Sequence, residues 1–249
     1  MNLSLLSQFQ QRLFAWGMSK ANAVDNHSIQ LTACSGYDNM ADLKQTLLSS
    51  LQGTVLEIGP GAGANLAYYA NSDSQNIHWI GIEPNQFMHT YLYQEAEQRG
   101  LKDVELCEGT AEHLPFEAAT IDAVVSTHVL CSVSDLDQAL SEIKRVLKPG
   151  GKFVFLEHVA AEDGTLTRSL QNGITPVWKT LFDNCHPNRE MWKSLAAAGF
   201  SSLDYEHFEL QIPVVSPHIV GIAIKPENDH NQDSKIDSIV IESPALSAH

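Results

Sequence analysis

Positive charge is scarce in this chain. Its 249 residues carry 15 lysines and arginines against 30 aspartates and glutamates, a formal net charge of −15. No basic cluster interrupts that excess, which excludes a surface built to track nucleic-acid phosphates. Cysteine is scarce as well. Cys34, Cys107, Cys131 and Cys185 form no C-x-x-C pair, and no secretory signal is evident. That usage points to free thiols in a reducing, cytoplasmic setting. No stretch approaches the roughly 18 uninterrupted apolar residues of a membrane-spanning helix. Metal-ligand spacings are missing too, so no metal is expected.

What is present divides the chain in three. Residues 1–50 open with Leu3, Leu5, Leu6, Phe9, Leu13, Phe14, Trp16 and Met18, interrupted by Ser, Gln and Arg12. This predicts an amphipathic helix with few cationic residues, serving as a cap or lid; peripheral contact with a membrane surface is the alternative. Residues 51–225 form the main domain, of a size expected for one core. Residues 226–249 are rich in Asp, Asn, Ser and Glu without a period, which predicts a disordered tail.

The main domain alternates strand and helix signals. Val55–Ile58 reads as a first strand, Asn65–Ala70 as helix and Ile77–Ile82 as a second strand. Asn85 caps a helix running to about Arg99, closed by Gly100. Val104–Cys107 is a third strand, and Ile121–Ser126 is a fourth with the continuous apolar character of a strand buried on both faces. Leu136, Leu140, Ile143 and Leu147 mark one face of a helix over Asp135–Leu147. Lys148-Pro149-Gly150-Gly151 stops it before a fifth strand, Phe153–Leu156. Arg189–Ala198 reads as a further helix. Leu203–Leu210 and Pro213–Ile224 then follow as two strands with little between them, hence a hairpin. The expected fold is α/β: a doubly wound, Rossmann-like sheet of about seven strands, the last antiparallel, with helices on both faces. Ligands in such sheets sit at the carboxyl ends of the strands.

The first strand runs into Glu57-Ile58-Gly59-Pro60-Gly61-Ala62-Gly63-Ala64-Asn65. Gly59 permits a tight turn, Gly61 lets a ligand approach the backbone, and Gly63 brings the helix close to the strand. Amide groups in such a loop suit a carboxylate or phosphate. Dinucleotide sites use G-x-G-x-x-G, whereas this loop is G-x-G-x-G with an acid before it. Glu57 suits an ammonium better than a pyrophosphate. A cofactor with an amino-acid head is expected in preference to NAD.

Three more pieces follow in order: Glu83 closing the second strand, Glu108-Gly109-Thr110-Ala111-Glu112-His113-Leu114-Pro115-Phe116, and Arg145-Val146-Leu147-Lys148-Pro149-Gly150-Gly151. Over roughly residues 50–160 the chain resembles the class I S-adenosylmethionine-dependent methyltransferases, in the group called methyltransferase type 11. The resemblance implies S-adenosylmethionine as cofactor and S-adenosylhomocysteine as product. It implies that the loop of Gly59, Gly61, Gly63 and Asn65 faces the methionine carboxylate while Glu57 holds the ammonium. Glu83, followed by Pro84, would accept from both ribose hydroxyls. Thr110, Ala111 and Glu112 would flank adenine, with Thr110 standing where many relatives carry Asp. Ser126, Thr127 and His128 would line the methionine end.

A closer resemblance runs on to about Lys225. Leu130-Cys131-Ser132-Val133, Glu157-His158-Val159-Ala160-Ala161-Glu162, Trp178, Leu181-Phe182-Asp183, Cys185 and Pro217-His218-Ile219 look like the animal thiol S-methyltransferases. Those relatives begin with a hydrophobic membrane anchor, from which this sequence departs. The resemblance implies a small, fairly apolar acceptor, with a thiol the first expectation. Methylation at O, N or C of a lipid, quinone or natural product is the alternative within the enzyme class, and a non-catalytic cofactor-binding module the alternative outside it. A thiol with pKa of about 8.5 is roughly 3% ionised at neutral pH, so full deprotonation gains only about thirtyfold, or ~2 kcal/mol. His158 and His128 are the candidate proton acceptors, a backbone-bonded loop histidine and a pocket-lining residue being the plainer alternatives. Trp178, Phe182 and Asp183 are the candidate acceptor contacts; the first two read equally as core, the third as a cap. Cys131 and Cys185 read as packed small hydrophobes. Oligomeric state is not legible.

Overall fold

The structure is a computed structural model that describes residues 3–70, 77–101 and 103–227. The tail expected over 226–249 therefore lies outside the described residues from 228 onward. In chain order the helices are α1 (Leu3–Ala21), α2 (Met40–Ser49), α3 (Leu66–Ala70), α4 (Gln86–Gln98), α5 (Leu136–Val146), α6 (Leu166–Leu181) and α7 (Met191–Ala197). The strands are β1 (Leu31–Thr32), β2 (Gly53–Ile58), β3 (Ile77–Ile82), β4 (Val104–Cys107), β5 (Ile121–Thr127), β6 (Leu147–His158), β7 (Ser202–Leu210) and β8 (Pro217–Ile224). They form one sheet in the order β1-β7-β8-β6-β5-β2-β3-β4. The run from β6 to β4 is parallel, whereas β8 pairs antiparallel with both β6 and β7.

The pleat explains how one sheet serves two helix layers. Successive side chains of a strand point to opposite faces. Val55, Ala123, Val125 and Val154 therefore pack with Leu48 of α2, Leu66 and Tyr69 of α3, and Leu92 and Ala96 of α4. Their neighbours Leu56, Val124, Phe153 and Phe155 face Leu140 and Ile143 of α5 and Met191 and Leu195 of α7. Each such side chain, fully buried, contributes roughly 1.5–3 kcal/mol. A third cluster joins Met40 and Leu43 of α2 to Leu156, Phe208, Leu210 and Val220. It seats α2 on the antiparallel end of the sheet.

Among the described residues the sheet has eight strands instead of the expected seven or so. The addition is β1, an edge strand of two residues on β7, too short to show alternation. The last strand starts at Pro217, not Pro213, because Val214 takes φ +72° in the preceding turn. α6 contains Gly173 and Pro176, which mask a helix whose other positions fit. The Lys148–Gly151 stop does end α5, but the chain enters β6 directly. Lys148 Nζ lies 2.7 and 2.8 Å from the Asp122 carboxylate there.

α1 lies on α4. Ala15 packs in a cluster with Ala62 and Met88, Asn85 Nδ2 donates to the Gln11 carbonyl at 3.1 Å, and the Arg12 guanidinium sits 4.7 Å above the Phe87 ring. Phe9, Leu13 and Trp16 face outward on this helix, more than half exposed. Among the described residues no helix is long and apolar enough to cross a membrane.

Candidate functional site

The carboxyl ends of β2, β3 and β5 open into a cleft of about 450 Å³. A hollow of about 820 Å³ lies outside α2 and α4, but it contains no strand-end residue. The smaller cleft is the candidate site because the parallel strands deliver their last side chains to it.

Its floor is Glu57, which is 2% exposed. Its carboxylate accepts from Asn65 Nδ2 at 2.9 Å and from Trp79 Nε1 at 3.1 Å. Burial pushes the carboxyl pKa up, opposed by those hydrogen bonds and by the Lys44 charge. Asn65 Nδ2 also donates to Thr127 Oγ1 at 3.0 Å, while Asn65 Oδ1 is buried without a partner. A carboxylate beside a partnerless amide oxygen is a donor-seeking pair, which fits an ammonium.

In the glycine loop the amides of Gly59, Gly61 and Gly63 donate internally, to the Ile82 carbonyl at 2.8 Å, to Glu83 Oε2 at 3.0 Å and to the Pro60 carbonyl at 2.9 Å. Gly59 and Gly61 line the cleft, whereas Gly63 does not; at φ +88° a Cβ there would meet Leu66 Cδ1 at 2.9 Å. The cation at this end is Lys44 of α2, 6% exposed and lining the same cleft. Burial pulls its pKa down to about 8, with Glu57 opposing. Sequence reasoning missed it. Its signal was a lysine among the apolar positions Met40, Ala41, Leu43 and Leu48 on one helix face.

Glu83 ends β3. Its two oxygens accept from the Gly61 and Asn85 amides at 3.0 and 2.9 Å, and burial raises its pKa against these bonds. Pro84, Thr110, Ala111 and Glu112 line the cleft beyond it. Glu112 Oε1 accepts from the Ser134 amide at 2.7 Å. The loop carrying these residues is held by Arg145, whose guanidinium donates to the Leu114 and Phe116 carbonyls at 3.0 and 2.8 Å. Two of the sequence motifs are thus one structural unit. The carboxylate, the partnerless amide oxygen, the lysine and the strand-end acid together fit a nucleoside bearing an amino-acid head.

The other wall begins at His128, a non-glycine residue at φ +57°. Its amide donates to the Leu156 carbonyl at 2.9 Å. Behind it Glu157, fully buried, accepts from Ser126 Oγ at 2.6 Å and from the Val129 and Leu130 amides at 3.1 and 3.2 Å. That bracket fixes the turn, and Glu157 was not singled out in the sequence for this role. Desolvation by the walls of the cleft, then the charges of His218, Lys44 and His158, lower the His128 pKa below the usual imidazole range, although the residue itself is exposed in the open cleft. The ring is therefore neutral near pH 7. His218 packs edge-on to it, with ring centroids 5.2 Å apart.

Asp183 also reaches the cleft, at φ +46° just past the end of α6, so it is both a helix-end residue and a lining group. It is exposed in the cleft, and partial desolvation there raises its pKa. His158, Trp178 and Phe182 do not line the cleft. His158 lies behind it with Nε2 3.1 Å from Cys185 Sγ. Trp178 donates Nε1–H to the same sulfur at 3.2 Å and stacks on Phe182 at 4.3 Å. The chain turns after α6, so only Asp183 of these three neighbours in sequence points inward. From α1 come Phe14 and Met18, with Asn22 just beyond its end.

Residues 56–155 match the family model described as a methyltransferase domain. The chain is 38% identical over 200 residues to the thiol S-methyltransferase TMT1A of Homo sapiens, covering 76% of this chain and 80% of that protein. It is 35% identical over 193 residues to the thiol S-methyltransferase TMT1B of Rattus norvegicus, covering 76% of each. Among solved structures, the [4+2]-cyclase SpnF has a TM-score of 0.66 at 21% identity, covering 89% of this chain and 95% of its own. A phosphoethanolamine N-methyltransferase of Haemonchus contortus, solved with S-adenosyl-L-methionine, has a TM-score of 0.58 at 16% identity, covering 74% of this chain and 52% of its own. At such identities these two share the fold.

Proposed function

Because the chain belongs to the S-adenosylmethionine-dependent methyltransferases, alongside the thiol S-methyltransferases, we propose that it methylates a small, fairly apolar thiol. The observation that carries this reading is the extent of the likeness, which covers four fifths of the human thiol S-methyltransferase, including the wall of the cleft after β5. S-adenosylmethionine, when bound, supplies an electrophilic methyl group. Glu57 and Asn65 hold the ammonium of its amino-acid head, and Lys44 faces the carboxylate. Glu83 accepts from the ribose, and Thr110, Ala111 and Glu112 flank the base. Gly59, Gly61, Pro84 and Thr127 shape the same surface, with Gly63 setting the loop.

The acceptor lies between Phe14, Met18, Val133 and Asp183, where apolar side chains dominate. His128 takes its proton. A neutral imidazole is the right form for that task, and a thiol needs no stronger base. α1 acts as the lid, a reading supported by Phe14 and Met18 lining the cleft. The four free cysteines support a reducing, cytoplasmic setting.

The test is transfer of labelled methyl from S-adenosylmethionine to a panel of small thiols, phenols and amines. Labelling of thiols first is expected. Labelling of phenols or amines without any thiol overturns the acceptor, and binding without transfer to any acceptor overturns the enzyme reading.

A further inference from the structure

Three side chains that the methyl-transfer reading does not use meet behind the acceptor wall. Cys131 follows β5, His158 ends β6, and Cys185 lies in the turn between α6 and α7. All three are buried, at 2%, 6% and 7% exposure. Their ligand atoms lie within 4.8 Å of one another, and the closest pair, His158 Nε2 and Cys185 Sγ, is 3.1 Å apart.

Bonds of about 2.3 Å to sulfur and about 2.05 Å to nitrogen place the ligand atoms of a tetrahedral zinc roughly 3.6–3.8 Å apart. The closest pair is shorter than that and no pair exceeds 4.8 Å, so shifts of about an ångström or less would admit an ion. Two thiolates and an imidazole select thiophilic d10 cations over magnesium or calcium, which take oxygen ligands. The surroundings fit as well. Trp178 Nε1–H already donates to Cys185 Sγ at 3.2 Å, the kind of outer hydrogen bond that steadies a coordinated thiolate. His158 Nδ1 is buried without a partner, so coordination through Nε2 would put the ring proton on Nδ1 and require an acceptor there, such as a water.

We propose that Cys131, His158 and Cys185 bind one thiophilic dication of the zinc type. Bound there, the ion clips the turn after α6 to the ends of β5 and β6. That turn presents Asp183 and Asn184 to the cleft, both at positive φ, +46° and +61°. The site thus clips the acceptor wall through three protein ligands, a set that leaves one coordination place unassigned.

The test uses the full chain, purified under reductant, stripped with a chelator and dialysed against micromolar zinc. Elemental analysis should find one zinc per chain. Titration with cadmium should raise a thiolate-to-metal absorption band that saturates at the same stoichiometry. Cys185→Ser and Cys131→Ser should each weaken binding at least tenfold, whereas Cys34→Ser and Cys107→Ser should leave it unchanged. Circular dichroism checks that each variant folds, and His158→Gln replaces any cysteine variant that does not. The proposal is overturned if the wild-type chain takes up no zinc. Undiminished binding in the Cys131→Ser, Cys185→Ser double variant also overturns it. So does a Cys131–Cys185 disulfide that survives reductant and excludes the metal.

Discussion

The two walls of the cleft are built in opposite ways. The wall from β2 and β3 takes Glu57, Asn65, Glu83 and the Thr110–Glu112 loop from one stretch of fewer than 60 residues. Each group there sits at a strand end or one turn beyond. The facing wall takes Phe14 from α1, His128 from the end of β5 and Asp183 from beyond α6. Local chain geometry fixes the first wall; the packing of distant elements fixes the second. A cofactor common to a family can be held by a local motif. An acceptor that differs between members is met by parts that can change independently.

The comparison can be broken from either side. The largest effect is expected at Glu83, which should matter to the cofactor alone. Glu83→Ala should weaken S-adenosylhomocysteine binding by roughly 1.5–3 kcal/mol, the range for losing charge-assisted hydrogen bonds, as read by calorimetry. Unchanged affinity would remove Glu83 from the ribose site.

On the facing wall, His128→Asn keeps a residue that tolerates the left-handed backbone but cannot take a proton. Thiol methylation at pH 7 should fall about thirtyfold, the gain available from ionising a thiol, with cofactor affinity intact. The deficit should shrink toward pH 9, where the acceptor ionises unaided. A deficit that stays constant with pH would mean that His128 only shapes the pocket.

A smaller effect is expected at Lys44, where the two walls meet. Its pKa is held at about 8 by burial, below the value of about 10.4 in an unfolded chain. Between those values the unfolded state binds more protons, so stability rises with pH. The gain should be roughly 1–2 kcal/mol from pH 8 to 9.5 in the protein without cofactor. Lys44→Met should flatten that rise in urea titrations compared with wild type. Glu57 and the Tyr68 ring, the latter 5.9 Å from Lys44 Nζ, are titratable groups beside it; the Tyr68 pKa is raised above its ordinary value of about 10, so Tyr68 keeps its proton across this window. An equal rise in both proteins would show that Lys44 is not the titrating group.

The same contrast explains what the sequence disclosed. The parallel strands were legible from β-branched runs, and the antiparallel ending from two strands with no room for a crossover. Glu57, Gly59, Gly61 and Glu83 were legible as residues at fixed offsets from a strand end. Lys44 was not, because only the docking of α2 against the sheet turns its side chain toward the cleft. Trp178 and Phe182 were expected on the acceptor from the resemblance to the thiol S-methyltransferases, with a place in the core as the equal alternative. The left-handed turn at Asp183 and Asn184 sends the chain elsewhere. Cys131 and Cys185 are buried as small hydrophobes would be, but no spacing in the chain reports that they meet at His158.

The left-handed backbone at His128 carries a consequence for protein engineering. A side chain in that conformation costs on the order of 1–2 kcal/mol, which glycine would relieve. A screen that ranks variants by heat resistance alone would therefore favour glycine at 128. Under the proposed reading, it would discard the imidazole without registering a loss. Thermostabilisation of this chain needs a turnover assay in the same round of selection, because at this position resilience and chemistry pull in opposite directions.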